Sequence, residues 1–218
     1  ELHLEIIENR IRTEKGVDVI TSNPIVVFRE TITKPSKVFE GKSPNKHNIF
    51  FIQIEPLEDN VYDAIKSGEL REGRIKKKED VLFQKLRDLG VDREEVRQYR
   101  YIYKGNAFLE KTRGEVHIGE VIDLVLDAFE QVCNNGPLTR EPCMKMKISL
   151  VDTKLHEDAI HRGPAQVYPA IRDAIHLAMR DANACLFEPI QVHLIEAPSD
   201  FLSSVTGLIS SKRGQLLD

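Results

Sequence analysis

The chain has 218 residues, of which 41% are hydrophobic, and this length allows one or two domains with a buried core. Its 31 Lys and Arg residues against 35 Asp and Glu residues give a net charge of -4, which argues against nucleic-acid binding over the whole surface but permits local basic patches. No apolar run approaches the ~20 residues of a membrane span, the first residues show no signal-peptide pattern, and three cysteines without a C-x-x-C spacing favour reduced thiols, so we expect a cytoplasmic protein without a membrane segment.

The chain begins with a short strand–helix–strand pattern. Residues 1–4 can form a strand, an apolar stripe at helical spacing predicts a helix that ends at Gly16, and residues 17–20 indicate a second strand. Such a piece is too short to close a sheet or to cover its own helix. The Ser-Asn-Pro sequence at residues 22–24 then predicts a domain boundary.

A hairpin with a basic end is predicted next. Residues 25–32 and residues 49–54 are rich in β-branched and aromatic side chains, so each segment predicts a strand. Between them, residues 34–48 contain two prolines, one glycine, four lysines and one glutamate, which is typical of a turn. We expect the two strands to present this basic loop as a projecting end, and a plain solvated turn is the alternative.

Charged helices and a tyrosine-rich strand follow. Apolar stripes with Gly68 and Gly90 as stops predict two helices, and Asp92 has the position of a helix cap. Three tyrosines alternate with other residues between positions 99 and 103, which predicts that they share one face of a strand. That face could stack nucleic-acid bases, but we expect it to pack in a core.

The best-defined elements surround a polar loop. Apolar residues at helical spacing between 121 and 132 predict an amphipathic helix, and the alternating residues 144–150 predict a strand of the sheet that it covers. After the polar residues 151–164, the spacing over 167–179 predicts a second amphipathic helix. A loop between the end of a strand and the start of a helix is held in place by both elements, so we expect the functional residues to lie on it.

The end of the chain repeats the strand–helix–strand pattern of its beginning. Residues 189–195 indicate a strand, residues 198–213 a helix that stops at Gly214, and residues 215–218 the start of another strand. This piece also lacks a sheet of its own.

The histidine pair in the polar loop is similar to a zinc-protease H-E-x-x-H motif but has one residue too many. His156 and His161 are five positions apart, and on a helix that spacing rotates the second imidazole by ~140° from the first. No Ser or Cys lies at a recognised spacing for nucleophilic catalysis, and no G-x-x-x-x-G-K-[ST] phosphate loop occurs in the chain. A small metal-dependent hydrolase that uses His156, Glu157 and His161 and a polar loop without chemistry both stay open at this point.

Five separated motifs resemble those of one known family, and this resemblance decides between the two hypotheses. They are Glu1-Leu-His-Leu-Glu, Phe28-Arg-Glu-Thr31, Ser43-Pro-Asn-Lys-His-Asn48, Leu155-His-Glu-Asp-Ala-Ile-His-Arg-Gly163 and Lys212-Arg-Gly-Gln215. In this order they resemble the elongation factor 2 family of translocation GTPases, and the whole chain looks like its archaeal form. The fourth motif also separates the chain from bacterial elongation factor G, which is similar in domain plan but lacks this histidine loop.

The resemblance implies a fold and a domain plan. Residues 1–22 resemble the end of domain III, residues 23–185 resemble domain IV, and residues 186–218 resemble the first half of domain V. The implied fold class is α+β, with a left-handed βαβ crossover in domain IV and a half ferredoxin-like strand–helix–strand piece on either side. The GTPase domain, with its GTP and magnesium, lies outside this stretch. The full-length protein is therefore expected to be a translational GTPase, and this piece is expected to have no enzymatic activity, cofactor or metal of its own.

The resemblance also implies a site. The family's histidine that is converted to diphthamide matches His161, in the context Ala159-Ile-His-Arg-Gly163. The implied partners are the ribosome, tRNA and mRNA at the decoding site, the diphthamide-synthesis enzymes, and ADP-ribosylating toxins that act on the modified histidine. The tip residues expected to contact RNA or the ribosome are Lys42, Ser43, Pro44, Asn45, Lys46, His47, Asp158, Ile160, Arg162 and Gly163.

Two consequences of this assignment can be checked. Residues 42–48 and 156–163 must lie at the same end of the domain, with His156 as a structural neighbour of His161. The metal-dependent hydrolase and a ribosome-associated RNA-binding module without modification stay as alternatives.

Overall fold

The computed structural model describes residues 2–22, 25–76, 79–113 and 117–217. These residues form two compact units, Glu1–Glu188 and Pro189–Asp218, which are described separately. Within the described ranges, every helix is too short or too polar to cross a membrane. The helices and strands in chain order are α1 (Leu2–Lys15), β1 (Arg29–Ile32), β2 (Phe39–Lys42), β3 (Ile49–Pro56), α2 (Asp59–Lys66), β4 (Gly73–Arg74), α3 (Asp80–Asp88), α4 (Arg93–Val96), β5 (Tyr99–Tyr103), β6 (Asn106–Glu110), α5 (Ile118–Asn134), β7 (Met146–Lys154), α6 (Pro164–Asp181), β8 (Ala184–Phe187) and α7 (Leu202–Ser211).

A six-stranded sheet forms the centre of the first unit. Its strand order is β2-β3-β7-β6-β5-β4, and every pair is antiparallel except β6 and β7. Those two neighbouring parallel strands are joined through α5, so the sheet contains the expected βαβ crossover. The α+β class is confirmed, and the left-handed sense of the crossover stays a prediction.

The helices α5 and α6 cover one face of this sheet. Alternate residues of the central strands, such as Phe50 and Ile52 in β3 and Ile148 in β7, pack with Phe129 of α5 and Ile171 of α6 in one large core. The alternation places these side chains on the same face of a pleated sheet. The prediction that the helix near residues 121–132 covers the strand near residues 144–150 is therefore confirmed.

The helices α2, α3 and α4 supply a second core on the opposite face. In β6, Ala107 and Leu109 belong to this core, whereas the intervening Phe108 belongs to the first one. Tyr99 is fully buried in the second core and Tyr101 is largely buried in the first, so the predicted packing role of these tyrosines is confirmed. The prediction that they share one face is wrong. The pairing of β5 with β6 is irregular between Tyr99 and Tyr101, so these two side chains point to opposite faces of the sheet and enter different cores.

Local stop and cap signals in the sequence correspond to helix ends. Gly68 and Gly90 follow α2 and α3 with φ values of 80° and 89°, a conformation that glycine adopts without a steric penalty. The Asp92 carboxylate accepts hydrogen bonds from the backbone N–H groups of Glu94 and Glu95 at the start of α4. All three predictions are confirmed.

The strands predicted at the two ends of the chain are not observed. Residues 2–4 begin α1 instead of forming a strand, and residues 17–20, 189–195 and 215–217 are not in strands, while Glu1 and Asp218 lie outside the described residues. The predicted helices do form, as α1 and α7. A strand needs a partner for its backbone N–H and C=O groups, and within the described ranges no neighbouring strand pairs with these segments.

The strands at the two ends of the central unit also differ from the prediction. Residues 25–28 are not part of a strand, so the first strand of this unit is β1. It pairs with β8, which the sequence did not predict, and the predicted boundary between residues 185 and 186 falls inside β8. The other predicted boundary, at residues 22–24, includes two positions outside the described residues. The assignment of the three family domains stays a prediction.

Candidate nucleic-acid interface at two joined loops

The first loop is the tight turn of the β2–β3 hairpin, residues 43–48, called the hairpin turn below. The backbone N–H of Ser43 donates to the carbonyl oxygen of Asn48 at 2.9 Å, and the N–H of Lys46 donates back to the carbonyl oxygen of Ser43 at 2.7 Å. Lys46 has a φ of 62°, which is uncommon for a residue other than glycine. The hydrogen bonds across the turn hold this conformation and leave the Lys46 side chain exposed.

The second loop, residues 155–163, joins β7 to α6 and is called the histidine loop. The Asp158 carboxylate accepts a hydrogen bond from the backbone N–H of Ile160 at 3.0 Å and so caps a single 3-10 turn, Ala159–His161. The backbone N–H of Asp158 donates to Nδ1 of His156 at 3.0 Å. Nδ1 of His156 is thus an acceptor inside the loop, which fixes the orientation of the ring.

The two loops contact each other at one end of the sheet. The side-chain amides of Asn45 and Asn48 both donate to the carbonyl oxygen of His161, at 3.2 Å and 2.8 Å, and the Asn48 amide oxygen accepts from the backbone N–H of His156 at 3.1 Å. Antiparallel pairing of β3 with β7, which sets Ile49 opposite Lys154, brings the start of one strand beside the end of the other. The prediction that both loops lie at the same end of the domain is confirmed.

Three imidazole rings meet where the loops join. The ring centroid of His161 lies 4.5 Å from that of His156 and 5.0 Å from that of His47, and the His47 and His156 centroids are 4.9 Å apart. The rings are tilted or edge-to-face. Across the part of the chain that the structure describes, no group of three or more His, Cys, Asp or Glu side chains is arranged to hold a metal ion. His156 is the structural neighbour of His161, as expected.

Two predicted contact residues are buried and belong to the loop scaffold. The guanidinium of Arg162 donates to the carbonyl oxygen of His156 at 2.7 Å and forms an ion pair with Glu120, and only 5% of Arg162 is exposed. Ser43 is 2% exposed, and its hydroxyl hydrogen-bonds with the Asn45 side chain and accepts from the backbone N–H of Asn48. Arg162 and Ser43 therefore use these polar groups inside the domain, and the contact with RNA or the ribosome that was expected of them stays a prediction.

The other predicted residues reach the surface. Ile160 is a large apolar side chain that is 79% exposed, and it is the neighbour of His161 in the chain. Asn45, His161 and Gly163 are half-buried. The exposed members of the predicted set are Lys42, Pro44, Lys46, His47, Asp158 and Ile160.

Sequence reasoning missed two residues that strand pairing and helix packing bring to the tip. Lys154 is exposed and lies in one row with Lys42, because both pair with Ile49. Glu120, in the first turn of α5, holds Arg162; the pKa of the Glu120 carboxyl is lowered by a hydrogen bond with His117 and by the charge of Arg162. Strand register could have identified Lys154, but no sequence signal connects Glu120 to a loop 42 positions away.

Comparison of the sequence with known proteins identifies the family of this chain. Residues 69–183 match the family model described as elongation factor G, domain IV. Over its whole length, the chain is 51% identical to the elongation factor 2 proteins of Nanoarchaeum equitans (strain Kin4-M) and Thermococcus sibiricus, and 49% identical to that of Pyrococcus abyssi. It spans 30% of the length of each of these relatives. Because the matched model covers more than half of its residues, the chain belongs to the elongation factor G domain IV family.

Proposed function

We propose that this chain is the part of an archaeal-type elongation factor 2 that enters the ribosomal decoding site. The observation that carries the proposal is the junction of the hairpin turn and the histidine loop, which places His161 beside exposed side chains of both loops. Sequence identity of 49–51% with three elongation factor 2 proteins, over the whole length of the chain, supports the proposal. Because the chain spans 30% of their length, GTP hydrolysis with magnesium, movement of tRNA and mRNA, and the cytoplasmic location are proposed for the longer protein.

The exposed tip is suited to recognise a codon–anticodon helix by shape and charge. An A-form helix has a shallow minor groove lined with 2′-hydroxyl groups, and its phosphates attract cations. Lys42, Lys46 and Lys154 supply exposed positive charge, and Ile160 supplies an apolar surface next to His161. These groups can contact ribose and phosphate without reading one particular sequence.

The rigidity of the tip suggests a steric mechanism. The hydrogen bonds between the loops and the buried Arg162 hold the tip as one body on the end of the sheet. A rigid wedge in the decoding site would block the return of the RNAs after they move. This action requires no nucleophile or metal from the chain.

We further propose that His161 is converted to diphthamide in the source organism. Among the hydrogen bonds of the described residues, those of His161 use its backbone N–H and carbonyl oxygen, so its imidazole can carry an added group without loss of a hydrogen bond. A permanently charged group would free the tip from the pH dependence of a bare imidazole. The diphthamide-synthesis enzymes, and ADP-ribosylating toxins that act on the modified residue, are the partners proposed for this position.

Mass spectrometry of the peptide that contains His161 tests the proposal. Protein from the native source should give a peptide heavier than its sequence mass, with the addition on His161, whereas protein made in bacteria should give the sequence mass. An unmodified native peptide would contradict the diphthamide proposal and would favour an RNA-binding module without modification. Ribosome binding by that unmodified protein would leave the decoding-site proposal in place.

A further inference from the structure

One buried amide connects the hairpin turn with both ends of the histidine loop. Asn48, the last residue of the hairpin turn, is 0% exposed and directly precedes β3. Its Nδ2 donates to the carbonyl oxygen of His161 at 2.8 Å, and its Oδ1 accepts from the backbone N–H of His156 at 3.1 Å. Its own backbone N–H donates to the Ser43 hydroxyl at 3.0 Å and its carbonyl oxygen accepts from the Ser43 N–H at 2.9 Å. Both the backbone and the side chain of Asn48 are thereby held in place.

The bridge made by Asn48 sets the geometry of the histidine loop. The side chain binds the backbone at His156 and at His161, and therefore fixes the separation between these two points. Arg162 adds a bond to the carbonyl oxygen of His156, and Asn45 adds a longer bond to that of His161. Of these three side chains, Asn48 is the one that contacts both ends.

We propose that Asn48 is the positioning residue that presents His161 to the enzyme that modifies it. This inference rests on the proposed function, because it assumes that His161 is modified. Without the bridge, the carbonyl of His161 keeps only the longer bond from the half-buried Asn45, and the imidazole is no longer held at 4.5 Å from that of His156. The modifying enzyme would then meet many loop conformations instead of one.

The chemistry of the bridge requires an amide at this position. One end must donate to a carbonyl and the other must accept from an N–H, and a primary amide does both in a rigid plane. In Asn48→Asp the donor becomes an acceptor that faces the His161 carbonyl oxygen, although the size of the side chain is unchanged. In Asn48→Ser the side chain is too short to reach both groups.

The test measures modification at His161 in Asn48→Asp, made in the full-length protein and expressed in the source organism. The matched control is Asn106→Asp. Asn106 is also 0% exposed, donates to the carbonyl oxygen of Cys143 at 2.9 Å and accepts from the backbone N–H of Met146 at 3.2 Å, so the substitution disturbs an equivalent bridge in β6, away from the tip. The readout is the fraction of the His161 peptide that carries the added mass.

We expect the modified fraction of Asn48→Asp to fall about tenfold, because loss of a buried hydrogen bond changes a loop equilibrium by about that factor. The Asn106→Asp protein should be modified to the wild-type extent, even if its melting temperature falls. Wild-type modification in Asn48→Asp would overturn the proposal, and so would an equal loss in both variants, which would assign the effect to general stability. If Asn48→Asp does not accumulate as folded protein, Asn48→Ser and Asn106→Ser give the same comparison without a buried charge.

NMR of the histidine side chains separates failure of this inference from failure of the proposed function. The imidazole resonances of His161 should move in Asn48→Asp, because its ring leaves the neighbourhood of His47 and His156, and should stay unchanged in Asn106→Asp. Unmoved resonances would overturn the positioning role. An unmodified wild-type protein from the native source would instead contradict the diphthamide proposal, while the NMR comparison would still decide the role of Asn48.

Discussion

At the scale of single residues, His176 makes stability depend on pH. The pKa of His176 in α6 is lowered below its ordinary value of 6.5, mainly by burial of the imidazole and secondly by the positive charge of Arg172. At pH values between the lowered pKa and 6.5, the unfolded chain binds more protons than the folded one. The contribution of His176 to the free energy of unfolding is therefore fully present above pH 6.5 and is lost as the pH falls through the folded-state pKa.

Substitution of His176 by Phe should remove this part of the pH dependence. Melting temperatures of both proteins, measured at about pH 7.5 and about pH 5.5, give the comparison. All other titrating groups are the same in the two proteins, so their pH dependence differs only by the protonation of His176. The melting temperature of the wild-type protein should therefore fall more on acidification than that of His176→Phe. Equal losses in the two proteins would contradict the prediction.

A buried carboxylate holds the loop between α5 and β7. Glu30 in β1 is 0% exposed, and its carboxylate oxygens accept backbone N–H bonds from Leu138 at 2.9 Å, from Thr139 at 2.9 Å and from Glu141 at 3.2 Å. Gly136 packs directly against it, since a Cβ atom there would overlap the carboxylate. A carboxylate suits this site because it offers two acceptor oxygens and no competing donor.

Glu30→Gln should lower the free energy of unfolding by about 2 kcal/mol, because an amide NH₂ would face backbone donors and leave one of them unsatisfied. Urea denaturation measures the change. The matched control, Glu40→Gln, alters an exposed residue paired with Lys42 at 3.3 Å, and should change the free energy by less than about 0.5 kcal/mol. Equal effects of the two substitutions would show that the Glu30 site tolerates a donor.

At the scale of elements, the close approach of β2 to α6 depends on Gly41. A Cβ atom on Gly41 would overlap the carbonyl oxygen of Ala170 in α6 and press on the Ala174 side chain. Because β2 supports the hairpin turn and α6 follows the histidine loop, this contact also determines how close the two loops lie. A side chain at position 41 would push the strand and the helix apart.

Gly41→Ala should therefore destabilise the protein by about 1–3 kcal/mol, the usual cost of overpacking. Gly119→Ala is the matched control, because a Cβ atom there has open space and lies in α5, where alanine is favoured over glycine. Chemical denaturation of both variants gives the comparison. A Gly41→Ala protein as stable as Gly119→Ala would mean that β2 and α6 are not packed at this distance.

Element positions were largely predictable in the central unit because their signals are local. Apolar periodicity located α5 and α6, and glycine stops located the ends of α2 and α3. The pairing of β1 with β8 and the irregularity in β5 had no such signal. Both depend on which strands meet after the chain has folded.

At the scale of the whole molecule, ribosome binding should depend on salt through the exposed lysines of the tip. Each lysine that contacts a phosphate displaces counterions, so Lys46→Ala should weaken binding and lower the slope of log affinity against log salt by about 1. The control is Lys66→Ala, an exposed lysine at the end of α2, which should leave the slope unchanged. Binding of the full-length factor to ribosomes across a salt series measures both slopes, and an unchanged slope for Lys46→Ala would contradict phosphate contact by the tip.

The sequence by itself determined the strands β3, β5 and β7, the long helices α5 and α6, the two candidate loops and the family, because periodicity, caps and motifs act over short stretches of chain. Tertiary structure alone decided which polar groups of those loops face solvent. Antiparallel pairing of β3 and β7 brings Asn48 against the carbonyl of His161, 113 positions later in the chain, and ion pairing with Glu120 buries Arg162. Such contacts join residues that no local pattern connects. The same reason explains the missing terminal strands, whose hydrogen-bond partners must also come from distant segments.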